Sequence, residues 1–229
     1  MGCNLRIMKK KAFIYGLGLL VILVSAGCSN SINNLIKTGK PDEIYARALQ
    51  LYETEKWNKA SMLFESVEHI YRGTPREDSL LFYNARCKYK NRDYESAVTL
   101  LDDFRRRYGR SAFIEDAEGM YATSYYNMSP APYRDQSTTT QAIIAISDFM
   151  THYPESDRMD AFVKMNDDLM GRLHEKAYLN AYTYYKIGKY KSAIVAFKNA
   201  LKKYPDSKRR EEIMYLIVSA SYRLAHNSV

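Results

Sequence analysis

The stretch YKSAIVAFKNALKKYP, residues 190–205, decides how this chain folds. Ala193 and Phe197 stand four residues apart, which puts a small and a bulky apolar side chain on one helical face. Tyr204 follows Ala193 by eleven residues, and Pro205 then ends the helix. The same landmarks recur as Ala60, Phe64, Tyr71; as Ala97, Leu101, Tyr108; and as Ala142, Ile146, Tyr153. Three residues before each Ala stands an aromatic, Trp57, Tyr94 or Tyr190, with Thr139 breaking the pattern in the third copy. Pro154 follows its tyrosine as Pro205 does.

Twelve residues before the landmark Ala, three copies place another small residue, Ala48, Ala85 and Ala181. Small residues at a crossing point let two helices approach closely. Two amphipathic helices in about 34 residues, small positions first and aromatics after, is the tetratricopeptide pattern. The fold expected is therefore all-α: a right-handed superhelical solenoid of antiparallel helix pairs.

The departures fall at defined places. In the third copy Ala122 takes the small position, 20 residues before Ala142 in place of 12, so the connection between its helices gains about eight residues. This loop insertion is placed at residues 127–137 and carries Pro130 and Pro132. Between Tyr153 and Ala181 lie 28 residues against 14 elsewhere, a surplus of about four helical turns. One long helix from Asp157 to Lys186 is expected. Repeats one and two then occupy residues 41–110, and repeats three and four residues 111–207. Residues 208–229 give the first helix of an incomplete fifth repeat, through Ile213, Leu216 and Tyr222, so the chain reads as a possible fragment.

At the other end, Lys9, Lys10 and Lys11 precede an apolar run from Ala12 to Val24 and a small-residue stretch before Cys28. Residues 1–27 read as a signal peptide, with a core shorter than the roughly 20 residues of a membrane-spanning helix. Leu23-Val24-Ser25-Ala26-Gly27-Cys28 resembles the bacterial lipobox, which implies lipidation of Cys28 and a triacylated anchor. Residues 28–40 are then a lipid-anchored linker. Ser29, not Asp, follows the cysteine, so the inner-membrane retention signal is missing and the outer membrane, periplasmic face, is the expected location. Met8 is the better start than Met1. N-myristoylation at Gly2 is excluded by Arg6, where Ser or Thr is needed.

Composition excludes several classes of function. With 46% hydrophobic and 26% charged residues the chain can bury a core. The net charge of +8 falls to about +4 without residues 1–27, which hold four basic residues and no acid, so a nucleic-acid partner is not expected. Arg105, Arg106, Arg107 and Arg110 read as a solvated helix end. Cys3 leaves with the signal and Cys28 is lipidated, so Cys87 has no disulfide partner and reads as a small buried hydrophobe. His174-Glu175 begins a zinc-protease signature, but Tyr178 stands where the second His is required. His69, His152 and His226 are far apart, and no phosphate loop or nucleophile elbow is present. No enzyme activity, cofactor or metal is expected.

RDQSTTTQAI at residues 134–143 and the fourth repeat from Ala181 to Ser207 resemble the BamD family, tetratricopeptide lipoproteins of the machinery that inserts β-barrel proteins into the outer membrane. Thr138 with Gln141 also reads as a capping box. The resemblance implies that repeats three to five dock the periplasmic domain nearest the barrel of the BamA subunit, beside other Bam lipoproteins. Arg134, Asp135, Gln136, Lys189 and Lys191 are the expected partner-binding residues. Family members commonly carry Arg where this chain has Ala196. Helix register aims Tyr45, Leu49 and Tyr52, with Phe82, Arg86 and Tyr89, into a groove for unfolded outer-membrane clients, whose C-terminal aromatic and carboxylate suit an aromatic slot with an Arg fork. The alternative is that these aromatics fill inter-repeat core and Arg86 is solvated. The alternative function is a periplasmic tetratricopeptide scaffold for peptidoglycan synthesis or cell division.

Overall fold

The computed structural model describes residues 32–226, and all regular structure among them is helical. The signal segment, Cys28 and the last three residues lie outside the described residues. A short helix α1 at residues 32–38 is followed by α2 (Pro41–Glu53), α3 (Trp57–Tyr71), α4 (Glu77–Lys90), α5 (Tyr94–Arg107) and α6 (Ile114–Met128). Then come α7 (Ser137–His152), α8 (Met159–Lys186), α9 (Tyr190–Lys203) and α10 (Arg210–His226).

The landmark residues are the core. Ala48, Ala60, Ala85, Ala97, Ala122, Ala142, Ala181 and Ala193 are all fully buried, as are Phe64, Leu101, Ile146 and Phe197. Each such Phe or Leu contributes about 2–3 kcal/mol by leaving water, and the alanines let the helix axes close around them. This is the tetratricopeptide fold.

The chain divides into two compact units between Arg92 and Asp93. In the first, α3 packs on both α2 and α4. In the second, α6 packs on α5 and α7, α8 on α7 and α9, and α9 on α10. One core there gathers Ile146, Phe149, Phe162 and Leu169, and another gathers Tyr178, Phe197, Ile213 and Leu216. The second expected repeat contributes α4 to one unit and α5 to the other.

Two turn designs recur. Five residues before the landmark Ala, the backbone turns left-handed at Glu55 (φ 58°), Arg92 (φ 62°) and Gly188 (φ 75°). The N–H groups that follow close on the preceding helix, Lys56 on Leu51 O at 2.8 Å and Lys189 on Tyr184 O at 2.9 Å, as in a Schellman stop. After each landmark tyrosine the second turn places a hydroxyl: Thr74, Ser111, Ser156 and Ser207. In each, its N–H donates to the tyrosine carbonyl and its side-chain oxygen accepts the N–H two residues on.

Helix starts differ slightly from expectation. α7 begins at Ser137 with Gln136 as its flanking residue, so the expected capping box at Thr138 and Gln141 does not form. Asp135 Oδ1 has already taken the Ser137 N–H at 2.9 Å, which starts the helix one residue earlier and leaves Thr138 inside its first turn. α8 starts at Met159, two residues after the expected Asp157, because a turn closed by the Met159 N–H on Ser156 O at 3.1 Å occupies the intervening backbone.

Candidate functional site: an aromatic surface and a braced loop

Two places combine exposed polar chemistry with ordered backbone, one in each unit. The first lies on α2 and α4. Tyr45 contacts Phe64 at 5.8 Å and Tyr71 at 5.5 Å between ring centroids, and its hydroxyl is 3.4 Å from Ser79 Oγ. Tyr52 meets Trp57 at 5.2 Å and Tyr83 at 5.0 Å. The Arg86 guanidinium lies 5.9 Å from the centroids of both Tyr52 and Phe82. No carboxylate pairs with Arg86 among the described residues, although Lys88 beside it is bound to Glu65 at 2.8 Å. Tyr45, Leu49, Tyr52, Arg86 and Tyr89 are half-buried and so present part of their surface to solvent. Phe82, placed in the groove by register, is instead 1% exposed: its ring belongs to the core under the surface.

The second place is the α6–α7 loop. The middle of α8 lies against it: Arg172 Nη1 donates to Ser129 O at 2.7 Å and Lys176 Nζ to Tyr133 O at 3.0 Å. Gln136 turns inward and donates its amide to Ala131 O at 2.9 Å and Arg134 O at 3.2 Å, with its Oε1 accepting the Thr139 hydroxyl. Of the expected partner residues, Gln136 is thus a buried brace, while Arg134 and Asp135 stand exposed on the loop. The Asp135 carboxyl is held below its usual range, chiefly by the Ser137 hydroxyl and then by the Ser137 N–H. Lys189 and Lys191 are exposed at the start of α9. A cleft of about 580 Å³ adjoins the loop, between Pro132, the Gly171–Glu175 stretch of α8 and the Asp206–Arg209 turn.

Several other charged groups are paired. Arg106 pairs with Asp102 and Arg107 with Asp103 one helical turn back, and Arg105 meets Glu118 at 3.7 Å, so the arginine run is neutralised locally. His174 packs against Tyr204 in a tilted pair with ring centroids 4.5 Å apart, and no group of His, Cys, Asp and Glu suited to a metal occurs among the described residues. The Cys87 thiol is fully buried, which pushes its pKa up to about 12. No described helix is long and apolar enough to cross a membrane.

Sequence reasoning missed the arginine five residues after the landmark tyrosine. Arg76 reaches Asp42 at 2.7 Å, Arg158 reaches Asp116, and Arg209 reaches Glu175 at 2.6 Å. The periodic signal was present, since the second copy alone breaks it with Phe113.

Helix pairs of this kind, with aromatic and arginine side chains held at a surface and a loop braced from α8, define a tetratricopeptide scaffold. The chain belongs to the YfiO family of outer membrane lipoproteins, whose sequence pattern matches residues 37–229. It is 26% identical to the outer membrane protein assembly factor BamD of Caulobacter vibrioides, over 97% of this chain and 74% of that protein. A putative outer membrane protein assembly factor BamD of Aquifex aeolicus is also 26% identical, over 87% of this chain and 64% of that one. The chain therefore spans between about two thirds and three quarters of the length of these relatives. Among solved structures, the TPR2AB-domain:pHSP90-complex of yeast Sti1 is similar at a TM-score of 0.45 and 15% identity, covering 80% of this chain and 70% of that one.

Proposed function

We propose that this chain is a non-enzymatic, lipid-anchored subunit of the outer-membrane β-barrel assembly machinery. Membership of the YfiO family and the BamD relatives support a role in outer-membrane protein assembly. In this reading the first unit binds unfolded clients and the second docks a BamA-like barrel subunit, with other Bam lipoproteins alongside. Arg134, Asp135, Lys189 and Lys191 form the docking rim, where charges chiefly set association rate. Cys28 carries the lipid that holds the chain on the periplasmic face of the outer membrane.

The observation that carries the client role is the Arg86 guanidinium beside two aromatic rings with no carboxylate paired to it among the described residues. A partly desolvated Arg fork next to aromatic surface suits a peptide that ends in an aromatic residue and a free carboxylate. The test is titration of the purified chain with the C-terminal peptide of an outer-membrane barrel protein, in free-acid and amidated forms. Binding that needs the free carboxylate supports the role; equal binding of both forms removes it. Depletion in cells tests the assembly role: loss of barrel proteins from the outer membrane supports it, whereas intact barrels with a peptidoglycan or division defect support a scaffold instead.

A further inference from the structure

Tyr133 is 69% exposed at the crest of the α6–α7 loop. Exposed aromatics are ordinary on mobile loops, but the backbone here is fixed on several sides. Lys176 holds the carbonyl of Tyr133 itself, Arg172 that of Ser129, and Gln136 those of Ala131 and Arg134. The Arg134 N–H closes a turn on Ala131 O at 3.0 Å, and the Ser129 and Thr139 hydroxyls meet at 2.7 Å. Pro130 and Pro132 each lock one further backbone torsion. The two α8 cations stand one helical turn apart, Arg172 at the end of the surplus stretch and Lys176 in the first turn of the part that aligns with a standard repeat. The loop insertion and the middle of α8 thus serve one result: a rigid loop that lifts a single tyrosine into solvent.

The Arg134 guanidinium flanks that ring at 6.0 Å from its centroid, and no described carboxylate engages it. Asp135 is turned back onto the first residue of α7 through the Ser137 N–H and hydroxyl. The crest therefore offers an aromatic ring and an unneutralised cation together.

We infer that Tyr133 is the anchor of a protein–protein contact, its ring entering an apolar pocket on the partner whose edge carries a carboxylate for Arg134. Tyr and Arg dominate the energetics of interfaces when a large side chain fills a desolvated pocket. A tyrosine has few torsions to freeze, and a pre-braced loop has little backbone entropy left to lose on binding. The cleft beside Pro132 leaves room for a side chain of the partner to enter in return. The inference rests on the docking role proposed above, in which the partner is the barrel subunit.

The experiment measures binding of the lipidated, detergent-solubilised chain to the immobilised periplasmic part of the barrel subunit, with circular dichroism on every variant. Tyr133→Ala is expected to weaken binding by about tenfold or more, mainly through faster dissociation, and Tyr133→Phe by less than about threefold. Arg134→Glu slows association most strongly at low salt. Arg172→Met, which releases Ser129 O but keeps Tyr133, weakens binding by an intermediate factor. If Tyr133→Ala binds as the parent does, the anchor is overturned while the docking role stands. If the parent chain itself does not bind, both are overturned.

Discussion

Arg209 grips Glu175 with two parallel hydrogen bonds, Nε to Oε2 at 2.6 Å and Nη2 to Oε1 at 2.9 Å. The two residues are 34 apart in sequence, so the grip ties one repeat to the same level of the next. Arg209 also reaches Glu212 at 2.7 Å and lies 4.2 Å from the centroid of Tyr178, whose hydroxyl donates to Glu212 at 2.6 Å. Bidentate pairs are among the stronger polar contacts, but partial exposure of both partners screens this one. Arg209→Met should lower the unfolding free energy by about 1 kcal/mol, read as a shift in the denaturant midpoint. A double-mutant cycle with Glu175→Gln should show coupling; strictly additive losses would mean that the grip contributes nothing in solution.

Acid should loosen the second unit in two stages. Burial lowers the His174 pKa from 6.5, with Asp206 opposing in part, so the folded chain binds this proton less readily than the unfolded one. The stabilisation is complete above pH 6.5 and declines as pH falls below it. Glu212 is held below its usual 4.5, first by the Tyr178 hydroxyl and then by Arg209, so its contribution is present above pH 4.5 and lost below. Thermal melts across pH should therefore flatten in the upper stage for His174→Gln and in the lower stage for Glu212→Gln. An unchanged profile in either variant assigns that stage to other groups.

Arg86→Ala should weaken binding of a client C-terminal peptide by about 1–3 kcal/mol, as removal of a charged hydrogen bond does, without changing the helical signal. Amidating the peptide should cost a similar amount in the parent and little more in the variant. If the two losses simply add, Arg86 and the carboxylate do not meet.

The left-handed residue Glu55 offers a stabilising change. A side chain there strains the backbone by about 1 kcal/mol or more, and Gly relieves it at a smaller entropic cost. Glu55→Gly should raise the melting temperature by a few degrees. A lower value would show that the Glu side chain itself supports the turn.

Cys87 should be silent toward thiol reagents in the native protein at pH 8 and react at once in guanidinium, because its thiol is fully buried with a pKa of about 12. Rapid labelling of the native chain would place α4 in a more open state than the structure has.

Much of this fold could be read from spacing, because each landmark class obeys one steric rule. Every small position that the sequence singled out is fully buried, since only a small side chain fits where two helices cross. The long α8 followed from chain length alone. Side-chain direction was harder to read. Phe82 and Arg86 share a helical face four residues apart, and periodicity cannot tell which of them reaches the core and which the surface; packing from neighbouring helices decides it. Gln136 and Asp135 are adjacent polar residues in a loop, and only the folded backbone shows that one braces it while the other caps α7. The recurring hydroxyl after each landmark tyrosine has partners two and three residues away, whereas the arginine that follows three of the four was visible in the letters but carried no meaning until its carboxylate, tens of residues away, was placed.

The loop insertion and the Arg172–Lys176 stretch of α8 are, physically, a single transplantable part. Arg172 and Lys176 meet their carbonyl acceptors 43 residues earlier in the chain. A chimaera that grafts the loop onto a standard repeat strips those two carbonyls of their cationic donors, and one that grafts only the long helix carries two arginine- and lysine-bearing turns with nothing to hold. Evolutionary or engineered exchange between such scaffolds should therefore move both pieces together, and a cut between them should yield a protein that keeps its helices but no longer presents Tyr133 in a fixed direction.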